Sequence, residues 1–176
     1  MSKSGHLLPL IVVATLAASS ASAHITLQSG RATIGTDYRA VLSVPHGCAG
    51  SPTVKLRVQI PEGVIAVKPV PTEGWKVDVV NGKYATGYDY QGARVSEGAK
   101  EVVWSGGKLA DHDTAEFIFS VFLTGSLKPN TTLYFPVVQE CEQGVSRWIE
   151  IPAKGPGGHD HEGKWPAPGI KLIAKP

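Results

Sequence analysis

Thr53-Val-Lys-Leu-Arg-Val-Gln-Ile60 alternates without a break. Val54, Leu56, Val58 and Ile60 fall on one side of an extended chain, and Thr53, Lys55, Arg57 and Gln59 on the other. Successive side chains of a strand point to opposite faces, so the pattern is that of a strand with one face buried. Ala115 to Leu123 repeats it in a more apolar form. Phe117, Phe119, Val121 and Leu123 share the face expected in the core, and Glu116, Ile118, Ser120 and Phe122 the opposite one.

Working outward from these two, further short strands are expected. Tyr38 to Val44 precedes Pro45-His46-Gly47-Cys48, and Val64 to Val67 ends before Pro69 and Pro71. Trp75 to Val80 and Lys83 to Tyr88 flank Asn81-Gly82, a pair that accepts positive φ and predicts a two-residue hairpin turn. Val102 to Trp104 leads into Ser105-Gly106-Gly107, read as another turn. Thr132 to Glu140 reads as one strand in which Pro136 demands an edge or a bulge, and Ser146 to Ile151 as the last. No stretch sustains a helical period. Eight or nine short strands with frequent turn signals predict an all-β fold, an antiparallel immunoglobulin- or cupredoxin-like β-sandwich. Beyond Pro152 the composition shifts to Gly, Pro, His and acid, so residues 154–176 are expected to form a flexible tail behind a domain at 24–153.

The first 23 residues carry the marks of a secretory signal. Lys3 gives a positive start, Leu7 to Ala18 an apolar core, and Ala21 and Ala23 the small residues of a cleavage site. The apolar core is too short for a stable bilayer span. Cleavage after Ala23 is expected, leaving an exported chain with no membrane span and His24 as its first residue. Losing Lys3 leaves 16 basic against 15 acidic residues, too balanced to suggest a nucleic-acid partner. The two cysteines, Cys48 and Cys141, are an even count in an exported chain and favour one disulfide over a thiolate metal pair.

An N-terminal histidine has unusual chemistry. Its α-amine and its Nδ1 can close a chelate ring on one metal ion. The amine titrates at roughly 7.7–8.0, so a metal competes well for it near neutral pH. Two nitrogens in a tetragonal field suit Cu(II) best among first-row ions. Catalytic motifs are absent: there is no G-x-S-x-G, Walker loop, H-E-x-x-H or dinucleotide fingerprint. Other metal-ligand candidates are His46, His112 between Asp111 and Asp113, and a possible second, loose site at His159-Asp-His161. Glu116 begins a hydrophobic strand after a turn and could reach a site at the sandwich rim. Trp148 could cover such a site or pack in the core.

Eight stretches together resemble the YcnI-like family of exported bacterial proteins, long catalogued as a domain of unknown function. They are Ala-His24-Ile-Thr-Leu, Val44-Pro-His-Gly-Cys48, Val58-Gln-Ile-Pro-Glu-Gly63, Pro71-Thr-Glu-Gly-Trp75, Trp104-Ser-Gly-Gly107, Glu116-Phe117, Phe135-Pro-Val-Val-Gln-Glu-Cys141 and Trp148-Ile-Glu-Ile-Pro152. The resemblance implies a β-sandwich that binds Cu(II) through a single histidine, the N-terminal one, with a carboxylate nearby and a tryptophan beside the metal. Carried onto this chain, the chelating residue is His24, the carboxylate Glu116 and the tryptophan Trp148. Trp104 is the rival tryptophan, and Glu101 and Glu150 are rival carboxylates.

The expected function is therefore that of a periplasmic Cu(II)-binding chaperone or buffer in copper homeostasis. It is expected not to be an enzyme, and to exchange copper with other periplasmic copper-handling proteins. Two alternatives stand beside it. A histidine-brace copper oxygenase would need a second histidine, for which His46 and His112 are the candidates in the ordered domain. A structural or adhesion sandwich would need no metal.

Overall fold

The computed structural model describes residues 24–152 and 165–175. Twelve strands and no helix occur among them: β1 (Thr26–Leu27), β2 (Arg31–Thr33), β3 (Asp37–Val44), β4 (Thr53–Gln59), β5 (Val64–Pro69), β6 (Lys76–Tyr90), β7 (Ala93–Leu109), β8 (Ala115–Leu123), β9 (Thr132–Tyr134), β10 (Val137–Cys141), β11 (Val145–Trp148) and β12 (Gly169–Ile173). They form a four-stranded sheet ordered β1-β3-β8-β5, a five-stranded sheet ordered β11-β10-β4-β7-β6, and a small sheet ordered β2-β12-β9.

The two larger sheets enclose the core. Phe117, Phe119, Val121 and Leu123 of β8 are buried, as their alternation requires, and meet Leu56 and Val58 of β4 and Trp104 of β7. Trp104 stands edge-on to Phe117 at 5.4 Å between ring centres, spanning the gap between the sheets. The face of β4 departs from expectation at its start. A register shift between Thr53 and Lys55 turns Thr53 inward, fully buried, and leaves Val54 half-buried.

Three expectations are corrected. Asn81-Gly82 is not a hairpin turn. β6 runs through it, with a register shift between Val80 and Asn81, and neither residue is at positive φ. The chain reverses instead at Gln91-Gly92, where φ is +49° and +78°, the left-handed pair that a two-residue hairpin needs. Ser105-Gly106-Gly107 likewise lies inside β7, with Gly106 at φ +78° within a strand that continues to Leu109. The stretch Thr132 to Glu140 is two strands, β9 and β10, in different sheets. Pro136, which cannot donate to a ladder, stands at the crossing.

The C-terminal region is corrected too. A tail was expected from 154 onward, yet β12 pairs with β2 and β9, and Ile170 and Leu172 are buried. The His159-Asp-His161 cluster lies outside the described residues.

One ion-paired knot fixes the long β6–β7 hairpin to the turn before β5. Glu62 accepts from the Tyr88 hydroxyl at 2.8 Å and from the Lys100 ammonium, while the Gly63 N–H donates to the Tyr88 oxygen at 3.0 Å. Burial alone would raise the Glu62 carboxyl. The hydrogen bonds from Lys100, Tyr88 and the Ala85 backbone, with the Lys100 charge, outweigh it and hold the carboxyl below its ordinary value. A depressed folded-state pKa contributes stability above the unfolded-state value and loses it as pH falls through the folded one. Glu62→Gln is therefore expected to cost stability at neutral pH, and the cost should vanish on acidification through that lowered pKa. Urea unfolding across the acid range checks this; a cost that persists in acid contradicts it.

Candidate functional site

The site candidates gather at one end of the sandwich. β1 brings His24 there. Thr26 and Leu27 pair with Ser43 and Leu42 of β3, Ile25 is buried at 2 % exposure, and the chain immediately before it is His24. β3 then leaves its sheet at Val44 into Pro45-His46-Gly47-Cys48. Gly47 cannot be replaced: a Cβ there would collide with the Ser51 carbonyl oxygen, and its N–H donates to the Asp111 carbonyl at 3.3 Å. Cys48 and Ser51 bond reciprocally across Ala49 and Gly50, both at positive φ. Cys48 is disulfide-bonded to Cys141 at the end of β10, as the cysteine count predicts.

The disulfide sets the loop against a buried glutamine. Gln139, two residues before Cys141, is fully buried. Its Nε2 donates to the His46 carbonyl at 2.6 Å and to the Thr53 hydroxyl at 2.8 Å, and its Oε1 accepts from the Trp148 indole N–H at 3.0 Å. Because the indole nitrogen can only donate, the amide orientation is fixed by this network. Trp148 itself is 2 % exposed.

Both half-buried histidines lie against that indole. The His24 ring stands edge-on to Trp148 with centres 5.8 Å apart, and the His46 ring is tilted to it at 6.3 Å. Trp165, returning from the C-terminal segment, packs edge-on to Trp148 at 4.8 Å. Its carbonyl accepts from the Glu150 N–H at 3.1 Å, which ties this segment to the chain just after β11. An open cleft of about 720 Å³ runs beside Trp165, bounded by the Cys48–Pro52 turn and by residues from Glu142 to Ser146.

The sequence candidates thus separate. His24 and Trp148 come together. Glu116 is exposed on the outer face of the four-stranded sheet, in register with Ser43, which in turn opposes Thr26. It shares an end of the sheet with His24. Trp104 belongs to the core with Phe117 and Phe119. Glu101 is paired with Arg57 on the outer face of the five-stranded sheet, its two oxygens bound at 3.1 and 3.0 Å. Glu150 is exposed beyond β11. The His112 side chain is 86 % exposed, 3.7 Å from Asp113.

His46, Gln139 and Trp165 were not assembled from the sequence. One signal was available: His46 and Gln139 each stand two residues before a cysteine of the same disulfide. Among the described residues no three His, Cys, Asp or Glu side chains converge as a metal cluster. Were the chain cleaved behind Ala23, His24 alone would supply two nitrogens, its amine and Nδ1. The donor set present fits a nitrogen-liking ion held at a half-buried, indole-walled rim.

Fold and rim together define an immunoglobulin-like β-sandwich in which His24 packs edge-on against a buried tryptophan. The chain belongs to the family described as "Domain of unknown function (DUF1775)", whose profile matches residues 24–172. Among solved structures it is similar to an uncharacterized protein from Nocardia farcinica with an immunoglobulin-like fold. That match has a TM-score of 0.61 and 21% identity, and covers 85% of this chain and 98% of the other. No curated protein matches.

Proposed function

We propose that this is an exported Cu(II)-binding protein of copper homeostasis, a periplasmic chaperone or buffer that holds its cargo at His24. The observation that carries the proposal is the edge-on packing of His24 on buried Trp148, 5.8 Å between centres, at the residue where the family match begins. After cleavage behind Ala23, the His24 amine and Nδ1 form the chelate. Burial of Ile25 anchors the terminus so that the chelating residue is held at the rim. Trp148 covers one side and excludes water there. Glu116, at the same end of the sheet, is the carboxylate offered for a further equatorial position.

Exchange with a partner needs an open coordination position, which a terminal residue at a rim leaves more readily than a closed cage. The cleft beside Trp165 gives a copper-handling partner room to approach. Soft ligands are missing: both cysteines are in the disulfide, and the single methionine lies in the leader. Cu(II) is therefore expected to be bound in strong preference to Cu(I).

The test is a Cu(II) titration of the chain with an authentic His24 terminus, beside His24→Ala. One tight equivalent that disappears in the variant supports the proposal. Unchanged binding in the variant, or comparable Cu(I) affinity in the oxidised protein, contradicts it.

A further inference from the structure

We propose that the outer face of the small sheet β2-β12-β9 is a docking surface for a bilayer of anionic phospholipid. The inference is independent of copper. Three observations carry it.

The first is how the charges are sorted. Among the described residues, every lysine or arginine in an ion pair lies on β4, β6 or β7. Arg31 of β2, Lys128 before β9, Lys171 of β12 and Lys175 just after it are exposed, and none of them is in one of these pairs. Residues 24–36, 124–135 and 165–175, which build this sheet and its flanks, contain no Asp or Glu. Asp37, the next acid along, opens β3 in the neighbouring sheet, opposite Phe122.

The second is that like charges stand side by side. Lys171 is in register with Arg31 on the adjacent strand. Leu172 and Ala32, which follow them, are buried, so both cations point outward from one face. Like charges directly across a strand pair are destabilising. Two more cations are drawn to the same sheet. Asn130, two residues past Lys128, donates its N–H to the Leu172 carbonyl at 2.9 Å, and Lys175 Cδ lies 4.0 Å from where a Cβ on Gly35 would stand, just past β2. A negative surface laid on this face offsets that repulsion.

The third is an exposed apolar side chain among the cations. Ile173 shares the outward face of Lys171 and is 38 % exposed between Lys171 and Lys175. A bilayer meets both features: its phosphates face the cations, and its acyl boundary takes the isoleucine. A patch of one sign, with no acid to set a register, suits a surface that is itself uniform in sign. The patch also reaches the end of the sandwich away from the candidate site. Ile34 donates its N–H to the Ile173 carbonyl at 3.0 Å and Gly35 to the Leu123 carbonyl at 2.7 Å, at the end of β8 opposite Glu116. A bilayer met there leaves the His24 rim open.

Co-sedimentation of the chain beginning at His24, free of copper, with vesicles tests this. The chain should bind vesicles of mixed phosphatidylglycerol and phosphatidylcholine at low ionic strength and ignore vesicles of phosphatidylcholine alone. Binding should be lost near about 1 M salt, where the Debye length falls to about 3 Å. Arg31→Gln/Lys171→Gln should weaken it by about fivefold for each cation, the contribution of one Lys or Arg at an anionic surface, and so by about 25-fold for both. Lys68→Gln/Lys83→Gln removes the same charge from exposed positions outside the small sheet and should leave binding within about twofold, since the attraction fades beyond a Debye length. Failure to bind anionic vesicles, or equal binding to neutral ones, overturns the proposal. So does an equal loss in the two double variants, which would make net charge the cause. Salt-sensitive self-association without vesicles, abolished by Arg31→Gln/Lys171→Gln, would seat a second copy on the patch and overturns it as well.

Discussion

Replacing Cys48 and Cys141 together by alanine is expected to lower the unfolding free energy by about 4–5 kcal/mol, the chain-entropy value for so long a loop. The bond joins residues 93 apart in sequence, so without it the unfolded chain regains nearly all the freedom that the link removes. The native state has few substitutes at that place. The link fastens the β3–β4 loop to the end of β10, beside Gln139 and its three hydrogen-bond partners. Urea unfolding of the oxidised chain and the double variant gives the difference, and the oxidised chain in reductant should move toward the variant. A difference below about 1 kcal/mol would mean that the loop is held by its hydrogen bonds alone.

The two fully buried tryptophans should separate stability from function. Trp104→Ala and Trp148→Ala are each expected to cost about 3–5 kcal/mol, the usual penalty for emptying an aromatic site in a core. Their consequences at the rim should differ. Trp104 contacts Phe117 and Phe119 inside the sandwich, so the folded fraction of its variant should bind copper as before. Trp148 is the surface on which His24 and His46 rest, so its variant should bind copper weakly even where folded.

Phenylalanine at the same positions sharpens the contrast. The Trp104 indole nitrogen is buried without a hydrogen-bond partner, whereas that of Trp148 donates to Gln139. Trp148→Phe strands the buried Gln139 oxygen, adding about 1–3 kcal/mol that Trp104→Phe does not incur. Unfolding midpoints in the reverse order would contradict this assignment.

Strand parity was the most legible part of the sequence. In β8 every core residue followed from alternation, because burial on one face imposes a period of two that nothing local disturbs. Turns were less legible. Asn81-Gly82 has the composition of a hairpin turn, but the β6–β7 pairing continues through it, and the chain turns ten residues later at Gln91-Gly92. Local turn preference is small beside a long ladder, and a bulge absorbs the same residues. The final strand escaped notice for a different reason. Gly169–Ile173 is short, follows a Gly- and His-rich stretch, and pairs with strands distant in sequence, β2 and β9.

At the rim, the cleavage-site pattern pointed to His24, the resemblance added Trp148 as its companion, and the two do meet. His46 could be named as a metal-ligand type but not located, since its place depends on a disulfide and a buried glutamine 93 residues away. Glu116 remains the carboxylate proposed from its position at a strand end. The structure puts it on the outer face, in the register row of Ser43 and Thr26, two residues along from His24.

On the proposed function, copper is held at His24 as an amine–imidazole chelate. The most direct measurement compares Cu(II) affinity and the electron paramagnetic resonance spectrum of the chain beginning at His24 with those of the same chain carrying one extra glycine before it. The insertion keeps every side chain and removes only the pairing of amine with His24 Nδ1. Tight one-to-one binding should be lost and the spectrum should change. Equal affinity and an unchanged spectrum would contradict it and place the metal elsewhere in the chain.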